Sequence, residues 1–253
     1  MGKLHAETIG RGDQIVLVHG SLTTGAEEWQ AQLPLADEGF RLVIPDRCGY
    51  GSSPVIDRED FLRDAEDLVE LLDEGSHVVA HSYGGLSAMF AAVERPDSIQ
   101  SLTLLEPPAF IAATGPAETL LTAVRTMWHL DLSDDEWLVR FLQAVGTAPD
   151  VIPPEAREEV VARVPLVRRG RPPWESHLPL SQLASAAFPK HVVSGGHSDG
   201  FEAICDKLAR HIGASRSVVK GAGHDIQFTG PPLNDLLLRI WRTAPQTSTR
   251  IVQ

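Results

Sequence analysis

The sequence predicts an α/β protein: a mostly parallel sheet with helices on both faces. Three observations predict it. Short apolar runs alternate with helix-forming stretches from Gln14 to Leu105. One of these runs, Ser76-His77-Val78-Val79-Ala80, passes through a sharp turn bearing Ser82 into the small-residue helical stretch Gly85 to Val93. The alternation stops after Glu106-Pro107-Pro108 and resumes near residue 190, so a helical unit interrupts one continuous frame. Alternating strands and helices with short connections give parallel strands, and a parallel sheet needs cover on both faces.

Taken in order, strands are expected at 14–19, 40–45, 76–81 and 99–105. Ala26 to Ala36 reads as a helix with Trp29 and Leu33 on one face. Asp60 to Glu74 carries Phe61, Ala65, Leu68, Leu71 and Leu72 at helical spacing. Before residue 14 only Lys3 to Ile9 could form a strand, so the antiparallel edge is expected to be reduced. Residues 110–187 show no strand pattern. They hold helical segments (Ala117–Leu130, Asp134–Val145 and Pro154–Arg163) broken by prolines, with three of the five tryptophans: Trp128, Trp137 and Trp174. The frame resumes with a strand at His191–Gly195, a helix at Phe201–Ile212, a strand at Arg216–Val219 and a helix at Pro232–Thr243. Residues 244–253 read as a frayed tail. The expected division is 1–109 and 188–253 for the core and 110–187 for the inserted helices.

Composition narrows the function. A chain of 253 residues with 43% hydrophobic content suits one α/β domain with an insertion. Net charge of −12 argues against nucleic acid and anionic membrane as partners. No apolar stretch approaches the roughly 20 residues of a membrane span. The opening Met1-Gly2-Lys3-Leu4-His5-Ala6-Glu7 lacks the apolar core of a signal peptide. Cys48 and Cys205 stand far apart, outside any metal-ligand spacing. The reading is a cytoplasmic protein with free thiols, no metal and no cofactor.

The segment Ala80-His81-Ser82-Tyr83-Gly84 joins strand to helix through a strained turn. Such a turn lifts a serine hydroxyl clear of the sheet and needs small residues two places either side, here Ala80 and Gly84. Upstream, Ile15-Val16-Leu17-Val18 runs into His19-Gly20-Ser21-Leu22. Then come Asp46-Arg47-Cys48-Gly49-Tyr50-Gly51-Ser52 and, far downstream, Gly221-Ala222-Gly223-His224. With these motifs in this order, the chain resembles the α/β-hydrolase superfamily, in its esterase, lactonase and C–C-hydrolase branch, from about Ile15 to Trp241. The resemblance implies the α/β-hydrolase fold with a helical lid at 110–187, inserted after the sixth strand. It also implies that the Asp46–Ser52 turn is structural.

Ser82 is the expected nucleophile and His224 the base that takes its proton. His19 and His81 are expected to support the pocket. A carboxylate must orient the imidazole, and two candidates stand. Asp199 lies after the strand at 191–194, where the family most often keeps its acid as G-x-x-D. Gly196 fits that spacing to Asp199, but Gly195 points to Ser198 instead and would leave Asp199 as a helix N-cap. Glu106 ends an otherwise apolar strand, where a carboxylate is costly unless used or paired. Related lactonases place a glutamate there, and Glu106 is preferred. Oxyanion donors are the N–H groups of Tyr83 and Ser21, with Leu22 second and the Ser21 hydroxyl a further option. Trp128, Trp137 and Phe110 either line an apolar pocket or form the lid's own core. Arg168-Arg169-Gly170-Arg171 reads as a solvated face or an anion contact.

The expected activity is hydrolysis of a small to medium carboxylic ester or lactone through an acyl-enzyme. C–C bond hydrolysis of a β-diketone-like compound uses the same residues. A perhydrolase side-activity, a non-catalytic receptor and cofactor-free oxygenation are the other readings. The expected partner is the small-molecule substrate, and the oligomeric state, a homodimer included, is left open.

Overall fold

Apolar strands buried on both faces organise the chain. The computed structural model describes residues 3–111, 113–148 and 151–244. The chain begins with β1 (Ala6–Gly10), β2 (Asp13–Val18), α1 (Gly25–Glu28), β3 (Phe40–Pro45) and α2 (Phe61–Val69). There follow β4 (Ser76–His81), α3 (Ser82–Glu94) and β5 (Ile99–Leu105). The insertion supplies α4 (Pro116–Trp128), α5 (Asp134–Val145), α6 (Arg157–Arg168) and α7 (Leu180–Ser185). Then come β6 (Lys190–Ser194), α8 (Asp199–Ile212), β7 (Ser215–Val218) and α9 (Pro231–Thr243). The strands form one sheet in the order β1-β3-β2-β4-β5-β6-β7. β1 pairs antiparallel with β3, and the other pairs are parallel.

Alternation along the strands feeds two cores. Ile15 and Leu17 of β2 pack with Trp29, Leu42, Leu233 and Leu237 on the α9 face. Val16 and Val18 pack with Ala80, Leu86, Met89 and Leu208 on the face covered by α2, α3 and α8. Each large aliphatic side chain fully buried this way contributes roughly 1.5–3 kcal/mol, so both faces matter.

Two expectations need correction. The helix expected at 26–36 is split into the short α1, closed by a capping box between Thr24 and Glu27, and a 3-10 helix at Gln30–Glu38. Pro34 lies inside the second piece and cannot donate an α-type bond. α6 starts at Arg157 and runs on to Arg168, with only a 3-10 turn at Pro154–Ala156. The insertion follows β5, the sixth strand in the family's count, in which β2 is the third; the N-terminal stretch supplies a single antiparallel edge strand. The tail expected at 244–253 lies outside the described residues from 245 onward.

Among the described residues of the insertion there is no strand. Its helices share a small core of Met127, Trp137, Leu138, Leu142, Val164 and Val167. Leu22, from the loop after β2, enters that core and ties the insertion to the sheet. No helix among the described residues is long and apolar enough to cross a membrane.

Candidate active site

Strand register assembles the site. β4 and β5 are parallel neighbours with His81 opposite Leu105, so the next residues, Ser82 and Glu106, leave the sheet side by side. His224 arrives on the loop after β7. That loop lies directly on the end of β6: a Cβ added to Gly195 would fall 1.7 Å from Gly223 O. His224 Nε2 lies 3.1 Å from Ser82 Oγ, and His224 Nδ1 lies 2.8 Å from Glu106 Oε2. A carboxylate only accepts, so the proton sits on Nδ1 and the Nε2 lone pair faces the serine hydroxyl.

The backbone is strained where the chemistry is. Among the described residues, the non-glycine residues with left-handed φ are Leu22 (69°), Ser82 (48°) and Glu106 (40°). Each costs of order 1–3 kcal/mol and persists only where its surroundings hold it. At Ser82 the closeness of strand and helix does so: a Cβ on Gly84 would lie 2.4 Å from His19 O.

Glu106 is fully buried. Burial alone would raise its pKa, but hydrogen bonds from His197 and His224 and the N–H of Gly195 pull it down to about 2. Gly195 N–H donates to Oε1 at 2.7 Å, and His197 Nε2 lies 2.9 Å from Oε2. The carboxylate is therefore ionised across the working pH range.

The loop after β2 is clamped from below. Arg47, buried, directs its guanidinium at the carbonyls of His19 and Gly20 and at Asp64 and Glu59. His19 donates from Nδ1 to Gly20 O and accepts the Arg47 N–H on Nε2, so it is neutral. Burial and the adjacent Arg47 push its pKa well down. Gly20 N–H is taken by Glu28 Oε2 at 2.9 Å, and Leu22 N–H by Tyr50 Oη at 3.3 Å. Ser21 N–H lies between these two engaged groups. The Ser21 hydroxyl shares its one proton with both oxygens of Glu59, at 2.9 and 3.0 Å. That hydroxyl is engaged away from the serine and does not fit the further-donor option.

Ser21, Leu22, Ser82 and His224 border one cavity of about 350 Å³. Glu106 stands behind His224. Tyr83 is the second residue of α3 and sends its hydroxyl to Arg171 O. Asp199 is not brought to the histidine. It is the exposed first residue of α8, and the helix cap is Ser198, whose Oγ accepts the Phe201 N–H. Among the described residues, Asp199 makes no hydrogen bond to His224. None of the expected pocket aromatics lines the cavity. Trp137 is fully buried in the insertion's core, and Phe110 packs against the main core. Trp128 borders a separate surface cleft with Arg125 and Trp174. The walls come instead from Phe141, Leu142, Val145, Ile152 and Val160. The arginine cluster binds its own chain: Arg168 to Asp134, Arg169 to Asp57 O and Arg171 to Asp60.

Sequence reading missed His197 and Glu28. His197 stood in plain view in Gly195-Gly196-His197-Ser198-Asp199, inside the loop searched for an acid. Glu28 carried no signal, because only the fold brings α1 beneath the site. Glu106, His197 and His224 also offer three metal-type ligand atoms within 4.8 Å of one another, but these atoms are engaged in hydrogen bonds to the shared carboxylate.

Comparison with known proteins fits this geometry. Residues 15–234 match the model of the Alpha/beta hydrolase family. A pimeloyl-[acyl-carrier protein] methyl ester esterase of Aeromonas hydrophila is 29% identical over 187 residues, 71% of this chain and 67% of that protein. A lipase of Mycobacterium tuberculosis is 28% identical over 182 residues, 70% of this chain and 67% of that protein. Other relatives align over as little as 26% of their own length. A solved N-acyl homoserine lactone degrading enzyme superposes with a TM-score of 0.68, covering 93% of this chain and 96% of that one at 22% identity, a likeness of fold.

Proposed function

The chain belongs to the alpha/beta hydrolase family and is a hydrolase of that type, and from this premise we propose that it cleaves a carboxylic ester, open or cyclic, with an apolar body. The observation that carries the reading is the hydrogen-bonded line from Ser82 Oγ through His224 to Glu106, with spacings of 3.1 and 2.8 Å. His224 Nε2 takes the hydroxyl proton as Ser82 Oγ attacks the carbonyl carbon. Charged Glu106 stabilises the imidazolium that forms. The N–H groups of Ser21 and Tyr83 receive the developing oxyanion, each worth a few kcal/mol. The imidazolium returns its proton to the leaving alkoxide, and water, activated by the same nitrogen, releases the acid.

The apolar walls from α5 and α6 and the cavity of about 350 Å³ support a small to medium substrate. Residues 110–187 act as the lid in this reading, since α5 roofs the serine and carries Phe141, Leu142 and Val145. The curated relatives named esterase and lipase support the ester class. The test is a fluorophosphonate probe together with a series of p-nitrophenyl esters. The probe should label the protein, and Ser82→Ala should lose both label and turnover. Persistent labelling of that variant would overturn the assignment. Labelling without ester turnover would move the reading to C–C hydrolysis or ligand binding.

A further inference from the structure

We propose that His197 is a positioning residue of this reaction, a second imidazole on the Glu106 carboxylate whose protonation state sets how fully that carboxylate serves His224. The proposal rests on the Ser82–His224–Glu106 reading above. Both histidines address one oxygen: Glu106 Oε2 receives His224 Nδ1 at 2.8 Å and His197 Nε2 at 2.9 Å, while Oε1 receives Gly195 N–H. The two imidazoles stand 6.3 Å apart, centroid to centroid. His197 is wedged in place. The Phe201 ring lies 5.7 Å to one side, and a Cβ on Gly146, the left-handed cap of α5, would fall 2.3 Å from His197 Nδ1.

The groups facing His197 favour a charge. Glu106 lies at the end of β5. Glu202 of α8 is held by Arg216 and the Gly196 N–H, and Asp225 beyond β7 is held by the Thr147 hydroxyl. Asp199 is exposed on the first turn of α8, and α5 brings only the uncharged Gly146 and Thr147. Burial disfavours the imidazolium, but Glu106, Glu202 and Asp225 together raise the His197 pKa above its usual 6.5. Neutral His197 gives the carboxylate one N–H and leaves its charge to His224. Charged His197 draws on that charge and sets a cation beside the imidazole that must itself become a cation in the transition state. Turnover therefore falls as pH drops through the His197 pKa.

The test compares kcat and kcat/KM of the wild type with H197Q and H197L from about pH 5 to about pH 9, on the ester that turns over fastest. Gln keeps an N–H near the Nε2 position but does not titrate. H197Q should match the wild type at the alkaline end and exceed it several-fold at the acid end. H197L, lacking the donor, should be about tenfold slower throughout. In the wild type, the imidazole NMR titration of His197 should have its midpoint on the acid limb of the kcat profile. An H197Q profile superimposable on that of the wild type would overturn the proposal, as would a His197 midpoint away from the limb. The NMR titration decides alone if H197Q folds poorly. Failure of the parent reading is separable, because it would appear as full turnover in E106Q whatever H197Q does.

Discussion

His81 points both of its ring nitrogens at acceptors: Nδ1 at Glu28 Oε1, 3.1 Å away, and Nε2 at the backbone oxygen of His224, 3.0 Å away. Two acceptors call for two N–H donors, which only the imidazolium form of His81 offers. Burial opposes the charge, but Glu28 and Asp225 raise the His81 pKa regardless. The other oxygen of Glu28 takes Gly20 N–H. One carboxylate thus ties the loop after β2 to the end of β4, and through His81 to the loop that carries His224.

Glu28→Gln should therefore destabilise the protein by about 3 kcal/mol, the usual cost of leaving one partner of a buried pair uncompensated. The pH dependence has a definite sign. The folded-state pKa of His81 is raised, so its stabilisation is complete below the ordinary value of 6.5 and is lost as pH rises through the raised one. The gap between wild type and Glu28→Gln in urea unfolding should be widest in mild acid and shrink on the alkaline side. A gap independent of pH would mean that His81 is neutral in the fold.

Arg47 offers a second stability test. It spreads its donors over two carbonyls and two carboxylates with no solvent exposure of its side chain. Lysine has the charge but not the planar fork. Arg47→Lys should cost about 3 kcal/mol by denaturant unfolding and lower kcat as the Gly20–Leu22 turn loosens. Unchanged stability would show that one contact is enough.

Much of the fold was legible because burial on both faces writes long apolar runs. Residues 40–45, 76–81 and 99–105 fall as strands where the pattern put them, and Asp134–Val145 is a helix end to end. What the pattern could not carry was distance across the fold. The pocket walls come from Phe141, Leu142 and Val145, three residues of an amphipathic helix whose apolar face reads like any core face. The more conspicuous tryptophans proved to be packing: Trp137 stacks on Phe141 at 5.0 Å and meets Trp128 edge-on at 5.3 Å. Glu106 was legible for a physical reason, since a lone carboxylate at the end of an apolar strand is costly unless used or paired, and this one accepts from Gly195, His197 and His224. His197 was passed over because a loop histidine has no such cost on its face.

This division of labour in the insertion predicts opposite phenotypes. Trp137→Ala should destabilise by roughly 3–5 kcal/mol, as a large core truncation does. It should change acyl-chain preference little among p-nitrophenyl esters. Val160→Phe adds bulk to a half-buried cavity wall. It should leave unfolding within about 1.5 kcal/mol of wild type and shift preference toward shorter chains. An unchanged chain-length profile in Val160→Phe would place the substrate elsewhere.

The acid is decided by two single substitutions. Glu106→Gln keeps the shape beside His224 but removes the charge that stabilises the imidazolium. Its amide can also hold the ring in the wrong tautomer, with Nδ1 accepting and Nε2 protonated against the serine. By analogy with the corresponding Asp→Asn change in a serine protease, kcat should fall roughly 10⁴-fold. Asp199→Asn alters an exposed residue in the first turn of α8, where the negative charge favours the helix N-terminus by about 0.5 kcal/mol. Its turnover should be that of the wild type, and Ser198 still caps the helix. The readout is activity at matched folding, checked by thermal unfolding of both variants. If Asp199→Asn were the inactive variant while Glu106→Gln kept its turnover, the hydrogen bond at 2.8 Å from His224 to Glu106 would be structural, and the acid would have to reach the histidine from the α8 loop.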